Sequence, residues 1–298
     1  NMARLSVGVQ GLGLAERTLQ GALSYANERV QGKVVGTPKE DRTSPIVGHP
    51  DVRRMLLDMR SLTEAMRGIC LMNAVAMDRA GSLADEDARQ AAEDLNELLI
   101  PITKAWCTDM GVEVTSLAIQ VYGGMGFVEE TGVSQFFRDA RIAPIYEGTN
   151  GIQAMDLVGR KLPMRSGGVV TDTIADIRAT AAALSADDEL AGIGARLAEA
   201  TDALDEATQW IFGHAGEIRD VLAGATPYLR MWGLVVGGWV LGKSALAAAK
   251  WAADDGPADF CAEKVRTARW FADQHLSTVV GLTARATSGA SLMDEASL

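Results

Sequence analysis

Aromatic residues are scarce in this chain, at 5%, and only eight prolines interrupt its 298 residues. Alanine, leucine and charged residues dominate instead, so long helices are expected and a sheet-rich fold is disfavoured. Basic charge is also in short supply. The net charge is −11 and no concentrated basic face is visible, which argues against nucleic acid or an anionic membrane surface as partner. A small anionic ligand held by a few local arginines remains compatible. The three cysteines, Cys70, Cys107 and Cys261, lie far apart in helical stretches without paired spacing. They read as small buried hydrophobes of a reducing compartment rather than as metal ligands or disulfides, and the expected location is the cytoplasm. No signal-peptide pattern opens the sequence. Its longest apolar run, Met231 to Gly242, is bounded by Arg230 and Lys243 and falls short of the roughly 20 residues that span a bilayer, so it reads as a buried helix.

What the chain has in quantity is apolar surface, at 48%, enough for one large core or two medium ones. Residues 3–31 place Leu5, Val9, Leu12, Leu19, Leu23 and Tyr25 at the spacings of an amphipathic helix. A loop is expected over 32–48, then a helix led by Pro50 and Asp51 whose apolar face, Val52 to Ile69, extends to about Met77. A third helix is expected from Ala84 to about Tyr122 with a kink at Pro101, and a fourth after Gly148, which together make an antiparallel bundle. The segment PMRSGG after Leu162 reads as a boundary between a module of residues 1–163 and a second helical module of residues 164–298. The second module is expected to hold helices near 169–185, 187–213, 217–252 and 257–287, whose faces carry little chemistry.

Chemistry concentrates between Gln120 and Lys161. Glu147 follows Ile-Ala-Pro-Ile-Tyr and precedes Gly-Thr-Asn-Gly-Ile-Gln. It can be an acidic residue at a helix start with Thr149 as the cap, or a base aimed into a cleft. Burial beside Ile145 and Tyr146 would raise its pKa towards the range a general base needs. Gln120-Val-Tyr-Gly-Gly-Met-Gly closes a helix with three glycines, as a helix C-terminus does, and no strand precedes it to make a dinucleotide fingerprint. Asp139 and Arg141 fit a paired charge cluster, and Arg29 fits the end of the first helix.

The run Gln120 to Gln153, together with Arg4-Leu-Ser-Val-Gly-Val-Gln and Tyr25-Ala-Asn-Glu-Arg-Val-Gln, resembles the C-terminal part of the acyl-CoA dehydrogenases. These flavoproteins desaturate an acyl-CoA thioester between its α and β carbons. The wording IAPIYEGTNGIQAMDLVGRKL looks most like the branch acting on 3-methylmercaptopropionyl-CoA. The resemblance implies an all-α fold, the family's C-terminal four-helix bundle followed by a second helical module. It implies FAD as cofactor, an acyl-CoA substrate, an electron-transfer flavoprotein or similar acceptor, and a homodimer or homotetramer. Glu147 falls on the base that removes the α-proton, and its backbone N–H on a donor to the thioester carbonyl. Thr149 falls on a residue touching the flavin dinucleotide of the same site. Arg29, Gln120, Gly123 and Gly124 match positions that hold the FAD of a neighbouring subunit. Arg4 and Gly148 lie on positions near the acyl-CoA.

The sequence departs from that pattern at Pro50, where a flavin-contacting glutamine is usual, at Gly151, where a polar side chain often reaches the cofactor, and at Gly32, which shortens an aromatic-containing turn. The family's N-terminal helical and middle β-domains are not represented. The chain therefore reads as a C-terminal piece that binds FAD weakly and turns over little by itself. Two further readings stay open: a helical module serving only assembly, and an acyl-CoA oxidase.

Overall fold

The computed structural model describes residues 1–36 and 43–297. The chain is all-α: no strand occurs among the described residues, only one isolated antiparallel bridge between Val30 and Pro45. Three long helices build the first half: α1 (Met2–Glu28), α2 (Pro50–Ser82) and α3 (Glu86–Tyr122). Short helices α4 (Gly124–Phe127), α5 (Val133–Ala140) and α6 (Asn150–Asp156) follow, and α6 runs into a π-helical turn at Leu157–Lys161. The second half holds α7 (Gly168–Ser185), α8 (Ala191–Gly213), α9 (Ile218–Ala253), α10 (Ala258–Gln274), α11 (Val279–Ala286) and the short α12 (Ser291–Glu295). Of the loop expected over 32–48, residues 37–42 lie outside the described residues.

Helix ends follow local chemistry. Asp85 caps α3 by accepting from Ala88 N at 2.8 Å, with Glu86 and Asp87 in the first turn facing the helix dipole. At α2 that role falls to Pro50 and Asp51. The sequence reading ends α1 three residues late: Arg29 is already extended, and its carbonyl accepts from Ile46 N at 2.8 Å, which turns the chain away. It ends α2 early because residues 78–82 carry no apolar period, although nothing there breaks the helix. The single helix expected over 257–287 is two, α10 and α11, with a tight turn at Leu276–Thr278 that buries Leu276. Asp187 delays α8 by accepting from Glu189 N and Leu190 N.

Close helix approach rests on glycine. A Cβ on Gly11 would lie 2.5 Å from Cys107 O, and one on Gly111 2.9 Å from Gly11 O, so α1 and α3 meet almost backbone to backbone. The same device brings α9 onto α3, where a Cβ on Gly233 would lie 2.1 Å from Trp106 Cγ. One contiguous core results, running from Leu12, Met66 and Trp106 to Trp232, Leu204 and Phe271. It passes through the segment near Leu162 without a break, because α9 packs on α2, α3 and α6 as well as on α7, α8, α10 and α11. Among the described residues α9 is the one helix long and apolar enough to cross a membrane, yet 78% of its apolar window is buried inside the protein. Cys70, Cys107 and Cys261 are all buried and free.

Candidate functional site

The chain between α5 and α6 reverses direction at residues 141–149. Asn150 N donates to Pro144 O at 3.0 Å and closes the turn, and Thr149 Oγ1 accepts from Ile152 N at 3.3 Å to cap α6. Glu147 sits at the apex with φ 56°, followed by Gly148 at φ 80°. A left-handed conformation suits glycine but is uncommon for glutamate, and it persists only where the surroundings hold it. The fully buried Gln153 does part of that holding: its Nε2 donates to the Gly148 and Glu147 carbonyls at 3.2 and 3.4 Å. Glycine is needed at 148, since a Cβ there would lie 2.9 Å from Gln153 Nε2 and the φ is positive. The Tyr146 hydroxyl donates to Gln10 Oε1, which fixes the turn against the first third of α1.

One expectation needs correction. Burial of Glu147 in an apolar cleft was anticipated, but its side chain is exposed, and Tyr146 is only half-buried. Glu147 and Gly148 at the apex are both exposed. Ile142, Ile145, Ile152 and Met155 around it are 45–53% exposed, which leaves an apolar rim uncovered. Thr149 is exposed too and serves as the α6 cap, so the local capping role is real.

Arg4 lies in the first turn of α1, where Nη1 donates to Asp156 of α6 at 2.8 Å; Arg160 joins the same carboxylate at 2.7 Å. Its charge acts on Lys104, which places it in the neighbourhood of the Glu147 turn. Behind that turn lies a polar cluster with no counterpart in the sequence reading. Lys104 Nζ donates to Asn150 Oδ1 at 2.8 Å, and Asn150 Nδ2 donates to Asp109 Oδ1 at 2.7 Å. Desolvation is the main force on Lys104, which is fully buried, and pulls its ammonium down to about 8. The signal was available: a lysine in the apolar run LLIPITKAW of a core helix.

A second set of expected residues gathers elsewhere. Tyr25 stacks on Tyr122, so the C-terminal ends of α1 and α3 lie together, bringing Arg29 to the same end of the bundle as Gln120, Gly123 and Gly124. All four are exposed. Among the described residues the Arg29 guanidinium reaches Gln31 Oε1, at 3.5 Å. Gly123 adopts φ 60° and ψ −139°, open only to glycine, and Cβ atoms on Gly123 or Gly124 would meet nothing within 4 Å. Internal packing therefore does not require a glycine at 124. The nineteen residue steps from Gln10 to Arg29 along α1 span roughly 28 Å at 1.5 Å each. The structure thus divides the expected residues between two separate sites. At the expected departures, His49 Nε2 lies 2.9 Å from Gln31 O beside Gly32, and Gly151 is exposed on α6.

A carboxylate on a turn at one end of the bundle and an exposed Gly-Gly with an arginine at the other are thus carried on an all-α helical domain. The model of the acyl-CoA dehydrogenase C-terminal domain matches residues 1–162, and an acetyl-CoA dehydrogenase C-terminal-like model matches residues 173–295. The chain belongs to the acyl-CoA dehydrogenase family. It is 47% identical over 277 residues to the 3-methylmercaptopropionyl-CoA dehydrogenase of Ruegeria pomeroyi, covering 92% of this chain and 47% of that protein. A butyryl-CoA dehydrogenase of Syntrophomonas wolfei is 33% identical over 91% of the chain and 45% of its own length. The Bacillus subtilis acyl-CoA dehydrogenase is 31% identical but matches only 52% of the chain and 35% of itself. The chain spans about half the length of the longer relatives it matches. The same fold occurs in an acyl-CoA dehydrogenase from Bacillus anthracis solved with FAD, with TM-score 0.74, 18% identity, 96% of this chain and 48% of that one.

Proposed function

We propose that this chain carries the proton-abstracting half of an FAD-dependent acyl-CoA dehydrogenase, with Glu147 as the base. The observation that carries the reading is the left-handed conformation of Glu147, held at a turn by Gln153 with an exposed apolar rim around it. A glutamate serving only as a helix-start charge needs neither the strain nor the rim. In this reading the remaining half of the enzyme covers the rim and removes water, so the carboxylate becomes basic enough to take the α-proton of a bound thioester. In this reading the Glu147 N–H would donate to the thioester carbonyl and share the negative charge that develops on it. Arg4 and Gly148 would lie near the acyl-CoA in the same reading.

Residues suited to an adenosine diphosphate group are at the opposite end. Gly123 and Gly124 leave room for a backbone-close ligand, and Arg29 has no carboxylate partner among the described residues. These residues fit FAD, which Arg29, Gln120, Gly123 and Gly124 would hold by its pyrophosphate and adenosine, with Thr149 near the flavin at the other site. The bound flavin supplies the acceptor for the hydride leaving the β carbon. Separation of the two sets by roughly 28 Å along α1 favours their serving different flavins, as across a dimer. The likeness to the Ruegeria pomeroyi protein supports a short acyl chain bearing a thioether as substrate.

The test is Glu147→Gln in the complete enzyme, following exchange of the substrate α-proton with deuterated solvent. Exchange and desaturation should fall by about 10²–10⁴, the range of general-base catalysis, with flavin still bound. Desaturation above about a hundredth of the wild-type rate would rule Glu147 out as the base.

A further inference from the structure

The cluster beneath the Glu147 turn has a cost that fold stability alone does not explain. A buried ammonium is expensive to desolvate, and an apolar side chain at 104 would fill the core more cheaply. Lys104 instead spends its charge on Asn150, the first residue of α6 and three residues after Glu147. The Asn150 side chain is fully occupied: Oδ1 takes Lys104 at 2.8 Å, and Nδ2 reaches Asp109 Oδ1 at 2.7 Å, Thr108 Oγ1 at 3.0 Å and Ala105 O at 3.1 Å. Its backbone N–H closes the turn on Pro144 O at 3.0 Å. One residue therefore joins both ends of the strained turn to the middle of α3.

The C-terminal helices reach the same cluster. Arg230 and Arg285 line a cavity of about 150 Å³ together with Asp109, Asn150, Thr226 and Pro227. Arg230 comes within 3.8 Å of Glu113, one turn beyond Asp109 on α3; burial raises the pKa of both carboxylates, and the Arg230 charge opposes that rise. Lys104, Asp109 and Asn150 belong to the part matched at residues 1–162, whereas Arg230 belongs to the part matched at 173–295.

We propose that Lys104, Asn150 and Asp109 are positioning residues that fix the direction of the Glu147 carboxylate, and that Arg230 makes the C-terminal helices part of the same clamp. The inference rests on Glu147 being the base. It gives residues 164–298 a role in the reaction geometry: Arg230 closes the cavity that Asp109 and Asn150 line, Asp109 holds the Asn150 amide, and Asn150 holds the turn.

The experiment measures single-turnover α-proton removal, KM and bound flavin in the complete enzyme for Lys104→Met, Asn150→Ala and Arg230→Met. Misplaced catalytic groups lose rate rather than affinity, so the first two should slow proton removal about tenfold or more while KM and flavin content stay within about threefold. Arg230→Met should slow it about three- to tenfold, and adding it to Lys104→Met should worsen that variant by less than about twofold, as expected for residues acting as a unit. The clamp is overturned if proton removal in the variants stays within about threefold of wild type, or if the loss falls on KM and flavin content instead. If Lys104→Met does not fold, Asn150→Ala and Arg230→Met decide. Glu147→Gln separates the two ideas: an active Glu147→Gln enzyme sinks the base, whereas an inactive one beside normal clamp variants sinks only the clamp.

Discussion

Tyr25 and Tyr122 stack with ring centroids 4.2 Å apart and planes 14° from parallel, joining the ends of α1 and α3. The contact sets the distance between Arg29 and the Gly123–Gly124 turn, the residues proposed to meet a nucleotide. Tyr122→Ala should lower stability by about 2 kcal/mol, combining half-buried area with the ring pair, while Tyr122→Phe should stay near wild type. Urea midpoints of the two variants check this, and equal midpoints would remove the stack as a stabilising contact.

Gly124 distinguishes packing from ligand approach. Its Cβ position is open, so Gly124→Ala should leave stability within about 0.5 kcal/mol of wild type. In the complete enzyme the added methyl should weaken FAD retention, which fluorescence of released flavin measures. Unchanged retention would mean that no ligand comes close at this turn.

Gly233 shows the opposite case. A methyl there would enter the Trp106 ring, and forced repacking of α9 on α3 should cost about 3 kcal/mol or more. A melting temperature for Gly233→Ala close to wild type would show that α9 crosses α3 elsewhere.

Lys104 gives a pH signature with a defined sign. Its ammonium titrates at about 8 in the folded chain, below the roughly 10.4 of an unfolded lysine. Between those values the unfolded chain binds more protons, so this group's contribution to stability rises with pH through that window and is most unfavourable below it. Lys104 faces Asp109 on its own helix, Arg4 on α1 and Glu147 on the turn. Comparing denaturant midpoints of wild type and Lys104→Met at several pH values between about 7.5 and 10 isolates the effect, and the wild type should gain on the variant as pH rises. Parallel curves would show that Lys104 is not desolvated.

His275 acts at the acid end. Burial lowers its pKa despite Asp58 at 3.6 Å, so the unfolded chain takes up the proton first as pH falls below the ordinary histidine value. Stability should drop from that point, with Arg230 opposing the imidazolium and Asp58 favouring it. His275→Gln should flatten the acid limb of a plot of midpoint against pH, and an unaltered limb would assign the loss to other groups.

Helix existence and order were legible in the sequence because each long helix keeps one apolar face at a constant period, from Leu5 to Tyr25 in α1 or Tyr228 to Leu246 in α9. Ends were less legible where a contact distant in sequence sets them, as at Arg29, whose carbonyl is taken by Ile46 N. The Glu147 motif could be found by wording alone. Its φ, its Gln153 brace and its exposure could not, since they depend on what packs around the turn.

The order of residues by itself determined an all-α chain and the carboxylate worth attention. Only the tertiary structure decided that Arg29 and Gly124 stand far from Glu147, that Lys104 and Arg230 converge on Asn150, and that one core joins both halves. The reason is physical: a period along one helix reports which face is apolar, whereas a hydrogen bond or ion pair between helices exists only after those faces have met.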